Sequence, residues 1–308
     1  MVRSLVSAIS AGTEQLIYRG HVADDMPLDE TITDLAGNFT YPFKYGYAVV
    51  GQVIAIGAGV APEWRDRLIF AFHPHESHFI TTPDIVFPLP TDIDPDDAVF
   101  LPNMETAVNF VMDGHPLLGE RVAVLGQGVV GLLTTALLAR YPLEGLLTVE
   151  PYSLRREASL ALGAQSSVKP SELPNFLKQS QPSQPNGFDL IYELSGNPAA
   201  LRQAIDLAGF DSRIIIGSWY GTKPVNLDLG GKFHRQRIRL ISSQVSTLAP
   251  NIRGRWTKSR RIALAWQMLQ KIRPAHLISH RFHMSQAAQA YDLLKETPEE
   301  AIQVVLSY

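Results

Sequence analysis

The chain has 308 residues, enough for two domains, and 45% of them are apolar, which supplies a full core and excludes disorder as the main state. With 27 basic against 30 acidic residues the net charge is -3, so no overall field draws the chain to nucleic acid or to an anionic membrane surface. Cysteine is absent, which excludes disulfides, iron–sulfur clusters, thiolate zinc sites and a cysteine nucleophile, and fits a cytoplasmic protein.

The N-terminus, residues 1–12, holds a short apolar run broken by serines, too short for a signal peptide. Residues 1–103 read as rich in strands and loops. Residues 49–57 mix apolar side chains with glycine, as in a bent strand of a small barrel, and 67–72 read as a second strand. Residues 24–45 have weak periodicity and read as a long surface loop. From about residue 104 strand-like and helical runs alternate. The predicted strands are 121–125, 146–150, 188–194 and 213–217, and the predicted helices are 129–141, 154–162 and 198–207. This alternation predicts an α/β fold with a doubly wound parallel sheet and right-handed crossovers. Residues 122–139 carry no charge and approach the length of a membrane helix. Their internal glycines and threonines predict a buried strand, a tight turn and a helix instead. Residues 179–187 are polar and proline-rich, a surface loop. Past Val245, residues 259–272 form an amphipathic helix with Ile262, Leu264, Ala265, Met268 and Leu269 on one stripe. Residues 285–295 form another, with Ser285 as N-cap, and 302–306 close as a strand.

The densest motif is Gly126-Gln127-Gly128-Val129-Val130-Gly131, a G-x-G-x-x-G directly after the strand 121–125 and opening a helix. Gly126 permits the turn, Gly128 lets the backbone approach a pyrophosphate, and Gly131 lets the helix pack close to the strand. The next strand ends on Glu150, where a carboxylate hydrogen-bonds the adenosine ribose hydroxyls. The pattern predicts a dinucleotide site. Glu150 favours NAD over NADP; Arg155 and Arg156 just beyond keep NADP possible, although a solvated helix face is their plainer reading. Ser195-Gly196 ends the strand 188–194 and is either a nicotinamide-side contact or an ordinary strand-to-helix cap. Trp219-Tyr220 either flanks the nicotinamide or packs a loop.

Several further motifs, over nearly the whole chain, resemble the medium-chain dehydrogenase/reductase family, zinc-type alcohol dehydrogenase-like. Ala8-Ile9-Ser10-Ala11-Gly12-Thr13-Glu14 resembles its G-I-C-G-[ST]-D motif with one extra residue. Lys44-Tyr45-Gly46-Tyr47-Ala48-Val49-Val50-Gly51 resembles its G-H-E-x-x-G, and Asp66-Arg67-Leu68 its G-D-R-V. Ala161-Leu162-Gly163-Ala164 and His280-Arg281-Phe282 with Ala290-Tyr291 match later family runs. The closest likeness is to a zinc-less subgroup similar to bacteriochlorophyllide hydroxyethyl dehydrogenases. The resemblance implies a GroES-like catalytic domain at 1–103 plus 246–308, a Rossmann domain at 104–245, and a homodimer through the sheet edge near 238–245. It also shows departures. The family's catalytic zinc positions fall on Ser10, Tyr47 and roughly Pro102, none a normal zinc ligand, so no zinc is expected. The family's N-terminal hairpin has no counterpart.

Without metal, a developing alkoxide needs hydrogen-bond donors or a proton. The resemblance makes Tyr47 a candidate donor, although a core tyrosine is the plainer reading, and Thr13 a candidate hydroxyl relay or simply a turn hydroxyl. His73 and His75, in the run His73-Pro74-His75-Glu76-Ser77-His78, suit proton transfer or are solvated loop residues. Glu105 either orients a histidine or caps a helix. The basic run from Arg253 to Arg261 reads as a solvated helix face, or as a holder of an acidic substrate or a carboxylate. The expected function is zinc-independent, NAD(P)-dependent hydride transfer to or from a small-molecule alcohol or carbonyl substrate, in a cleft between the two domains. The alternatives are reduction of a conjugated C=C in quinones or enones, and an inactive NAD(H)-binding protein. Neither nucleic acid nor membrane is expected as a partner.

Overall fold

A computed structural model describes residues 1–22, 35, 37–180 and 187–308. The expected loops at 24–45 and 179–187 fall largely outside the described residues. The chain divides into two compact units, Met1–Pro102 with Ala265–Tyr308, and Asn103–Leu264.

In the first unit β1 (Val2–Ala8) is followed by α1 (Ala11–Tyr18), β2 (Val49–Val53), β3 (Leu68–Ala71), β4 (His78–Phe79), β5 (Val86–Pro88) and α2 (Pro95–Ala98). The α3 helix (Leu101–Gly114) then leads into the second unit. There the order is β6 (Arg121–Leu125), α4 (Val129–Leu138), β7 (Gly145–Val149), α5 (Ser153–Ala161), β8 (Ser166–Val168), α6 (Leu173–Ser180), β9 (Phe188–Glu193), α7 (Pro198–Leu207), β10 (Ala208–Ile216) and β11 (Arg239–Ser242). The α8 helix (Lys258–Ile272) returns to the first unit, which ends with β12 (Ile278–His283), α9 (Ala287–Glu296) and β13 (Gln303–Ser307).

The first unit is a sheet in the order β12-β13-β1-β2-β3-β5, with β4 on β1. Its pairings are antiparallel except β12 with β13. Alternating side chains of these strands, Val2, Val49, Ile69, Phe79 and Val86, form one apolar cluster. A second cluster joins Ile9, Val304 and Leu306 to Ala290 and Leu294 of α9.

The second unit is the doubly wound sheet that the alternation predicts. Its order is β11-β10-β9-β6-β7-β8 and all its pairings are parallel. The chain starts in the middle at β6, builds outward through β7 and β8, then restarts beside β6 with β9, so the order reverses between β6 and β9. Every residue of β6 is buried, and α4 is buried nearly all round. That is why 122–139 is uncharged: it is a core strand, a turn and a core helix. No helix among the described residues is long and apolar enough to cross a membrane.

Some boundaries differ from those expected. The β10 strand begins at Ala208, which pairs with Phe188 before a register shift. The return between units falls inside α8 rather than at 246, because the first half of that helix is fastened to α3 by Arg261 (below). Ser285 does not cap α9. A short 3-10 turn, Met284–Gln286, intervenes, and the His283 ring accepts the Ser285 amide.

Candidate functional site

In the second unit the chain leaves β6 through Gly126, whose φ of +92° lies in the left-handed region. A Cβ on Gly126 would sit 2.5 Å from the Ser195 backbone, and one on Gly131 would sit 2.1 Å from the Gly126 carbonyl oxygen. Packing of turn, strand and helix imposes both glycines. Gly128 is different: a Cβ there would meet nothing within 4 Å. It is the N-cap of α4 and offers no capping side chain. The first N–H groups of the helix, at Val129 and Val130, thus have no capping side chain at the N-cap, and the positive end of the helix dipole lies there. Such a terminus suits an anion such as a diphosphate in charge, and Gly128 puts no side chain in its way. The Gln127 side chain turns inward, donating to the Gly126 carbonyl and accepting from the Thr135 hydroxyl, so only its backbone belongs to the turn.

Glu150 follows β7 and is 3% exposed. One carboxylate oxygen accepts the Gln127 amide at 2.7 Å and the other the Tyr152 amide at 3.2 Å. The carboxylate thus ties the end of β7 to the glycine turn and keeps lone pairs for a ribose diol. Arg156 donates to the carbonyls of Glu150 and Pro151, and the Arg155 guanidinium lies 5.0 Å from the centre of the Tyr152 ring. Both arginines are tied to this strand end rather than spread over a solvated face. At the carboxyl ends of β9 and β10 the structure brings together Ser195, Gly196 and Tyr220. The Gly196 amide donates to the Ser218 hydroxyl, and the Tyr220 hydroxyl donates to Glu193. Trp219 is exposed beside them.

In the first unit the two positions matched to zinc ligands meet. The Tyr47 hydroxyl donates to Ser10 Oγ. Gly46, before Tyr47, has a φ of +109° and packs on the His75 ring, where a Cβ would come within 2.6 Å. Only glycine brings the chain past that imidazole. Thr13 lies in the turn Ser10 opens, its amide on the Ser10 carbonyl.

Behind this pair lies a buried network that the sequence does not reveal. Glu14, 2% exposed, accepts the Ser10 amide at 2.7 Å, His75 Nε2 at 3.1 Å and the Tyr291 hydroxyl. His75 Nδ1 lies 2.7 Å from Ser7 Oγ, which lies 2.7 Å from the Tyr308 hydroxyl. His75 reaches Glu14, and Glu14 accepts the amide of Ser10, the residue whose hydroxyl meets Tyr47, so His75 braces the backbone of the pair. His73 is also buried. It stacks on Phe79 at 4.0 Å and its Nε2 lies 2.9 Å from Glu76. The two histidines are thus packed against separate carboxylates, neither of them solvated, while His78 is exposed.

Burial alone would raise the Glu14 pKa, but the nearby His75 and the hydrogen bonds from His75, Tyr291 and Ser10 outweigh it and hold the carboxyl below its ordinary 4.5. Burial and the same carboxylate push the Tyr291 phenol up. A lowered folded-state pKa stabilises the fold above the ordinary value and loses that stabilisation as pH falls through the lowered one. The melting temperature should therefore drop below pH 4.5, and Glu14→Gln should lower it at neutral pH and flatten that acid limb. Circular dichroism melts across this range check it; an equally steep limb in the variant contradicts the assignment.

Glu105 is not near a histidine. It is 3% exposed and pairs with Arg261, itself fully buried, through contacts of 2.8 and 3.1 Å. Arg261 therefore departs from the basic run's expected solvated face, whereas Arg260 stacks on Trp256.

Ser10 and Tyr47 offer hydroxyls and Pro102 no donor side chain, a set that does not suit zinc. Among the described residues no group of three or more His, Asp or Glu is placed to hold a metal ion. No protein-family model matches the chain. Relatives in sequence include an L-threonine 3-dehydrogenase from Caldanaerobacter subterraneus, 31% identical over 112 residues, covering 36% of this chain and 31% of that one. The (R,R)-butanediol dehydrogenase of Bacillus subtilis is 26% identical over 212 residues, covering 59% and 60%. The chain thus matches less than two thirds of the length of either. In three dimensions it superposes on an alcohol dehydrogenase from Escherichia coli, solved in complex with NADH, with a TM-score of 0.76, 18% identity, and coverage of 100% of this chain and 91% of the other.

Proposed function

We propose that this chain is a medium-chain dehydrogenase/reductase of the zinc-type alcohol dehydrogenase-like family, a nicotinamide-dependent oxidoreductase that works on an alcohol/carbonyl pair without a catalytic zinc. The observation that carries the reading is the open cradle at Gly128, before the α4 N-terminus, with the Glu150 carboxylate at the end of the next strand. The α4 N–H groups hold the diphosphate, and Glu150 accepts the ribose hydroxyls and disfavours a 2′-phosphate by repulsion. The bound nicotinamide supplies or accepts the hydride. Relatives named as threonine and butanediol dehydrogenases, and a fold neighbour holding NADH, support the class of chemistry.

The Tyr47–Ser10 hydroxyl pair supports the zinc-free part. It occupies the positions where the resemblance places two metal ligands, and its donor is the Tyr47 phenol. In carbonyl reduction the Tyr47 O–H turns from Ser10 Oγ to the substrate oxygen as negative charge develops there, while the Ser10 hydroxyl turns to donate to the phenol oxygen and holds its orientation. Tyr47→Phe should lower turnover by about a hundredfold or more while leaving NADH affinity unchanged. Steady-state rates on a panel of secondary alcohols, ketones and enones, paired with NADH titrations, test this. Unchanged turnover removes Tyr47 from the mechanism, and activity confined to enones replaces carbonyl reduction by C=C reduction. The same reading carries a cytoplasmic homodimer formed through β11, an edge of the parallel sheet.

A further inference from the structure

Glu193, the last residue of β9, is a carboxylate with 0% exposure. A buried carboxylate is unfavourable unless donors satisfy it, and this one has three. One oxygen accepts the Ser195 amide at 2.9 Å and the Ser195 hydroxyl, and the other accepts the Tyr220 hydroxyl at 2.5 Å. Burial, then the Glu193 contact, pushes the Tyr220 phenol up, so it stays a donor at all working pH. Two more bonds cross the same gap. The Gly196 amide donates to Ser218 Oγ at 2.8 Å, and Lys223 Nζ donates to the Gly196 carbonyl at 3.1 Å. The segments after β9 and after β10 are thus latched together, and Glu193 is the charged centre of the latch.

The latch sits at a defined place on the sheet. Strand order reverses between β6 and β9, and ligands of such sheets lie outside the carboxyl ends of the strands at that reversal. The α4 cradle takes the diphosphate and Glu150, beyond β7, takes one ribose. The other half of a dinucleotide must then extend the opposite way, over the ends of β9 and β10, where the latched segments form the floor.

We propose that Glu193 is a positioning residue for the nicotinamide half of the cofactor, acting through Ser195 and Tyr220 rather than by touching the ligand. The proposal rests on the dinucleotide reading above. It predicts a split between ligands: NADH carries the nicotinamide ring that the latch positions, whereas ADP-ribose keeps both riboses and the diphosphate but lacks that ring.

The test measures NADH affinity by nicotinamide fluorescence and ADP-ribose affinity by calorimetry, in the full chain, for wild type, Tyr220→Phe and Glu193→Gln. Melting temperatures confirm that each variant is folded. Tyr220→Phe removes one donor and no bulk, and should weaken NADH about tenfold, the range for a lost hydrogen bond to a charged group, with ADP-ribose within about twofold. Glu193→Gln, which leaves the Tyr220 hydroxyl an amide partner, should fall between the two. Equal weakening of both ligands, or unchanged NADH affinity in a folded Tyr220→Phe, overturns the proposal and leaves the latch as structure alone. Wild type that binds neither ligand removes the dinucleotide reading itself, and this inference with it.

Discussion

Gly128→Val should leave the protein folded and abolish its capacity for dinucleotide. The Cβ of the added side chain meets nothing within 4 Å, at an N-cap whose φ of -65° and ψ of 179° any residue adopts. The stability cost should stay within about 1 kcal/mol. The same side chain would occupy the room a diphosphate needs against the α4 N–H groups, so NADH affinity should fall by at least about a hundredfold. Gly131→Ala, three residues on in the same motif, should behave in the opposite way. Its Cβ would sit 2.1 Å from the Gly126 carbonyl oxygen, and neither backbone can yield without opening the strand–helix packing. Urea melts and fluorescence titrations of the two variants separate a glycine kept for the ligand from one kept for the fold. A Gly128→Val protein that binds NADH normally contradicts the cradle.

The largest stability effect should come from Glu105 and Arg261. The guanidinium donates to Glu105, to Asn109 Oδ1 and to the carbonyls of Val245 and Thr247, so a fully buried charge has all its donors engaged. Glu105→Ala would leave that charge without its counter-ion, and Arg261→Ala would leave the carboxylate and several carbonyls without donors. Either should cost about 3–5 kcal/mol. Removing both charges together, as Glu105→Leu with Arg261→Met, should recover the part of the loss due to an unpaired charge, while Asn109 and the Val245 and Thr247 carbonyls still lack their donor. Denaturant unfolding of the three variants measures this coupling. A Glu105→Ala variant of wild-type stability, or a double variant weaker than either single one, contradicts it.

The proposed dinucleotide site is legible in the sequence because its parts are local. Gly126, Gly128, Gly131 and Glu150 fall within one strand-turn-helix-strand stretch, and a fixed spacing reports a fixed geometry. The doubly wound sheet is legible for the same reason: strong apolar runs alternate with helical ones at short range. The first unit is not legible in this way. Glu14 meets His75 and Tyr291 across separations of 61 and 277 residues, and nothing in the local pattern marks those partners. The histidine run invites a loop reading, yet His73 and His75 are buried because each has a carboxylate and an aromatic or glycine surface to pack on. Glu105 and Arg261 are likewise 156 residues apart. One signal did exist: Arg261 stands one helical turn before Ala265, on the apolar stripe of α8, where an arginine needs a buried partner. The short strands β8 and β11 lack the length to display a period, and α3 is apolar enough to blur with its surroundings.

The central claim is that the second unit holds a nicotinamide dinucleotide and that Glu150 selects it. Titration of the purified chain with NADH and with NADPH, followed by nicotinamide fluorescence, tests it most directly. Saturable binding with NADH preferred is the predicted result. A preference for NADPH would contradict the role of Glu150 and give control to Arg155 or Arg156, and binding of neither would contradict the dinucleotide site as a whole.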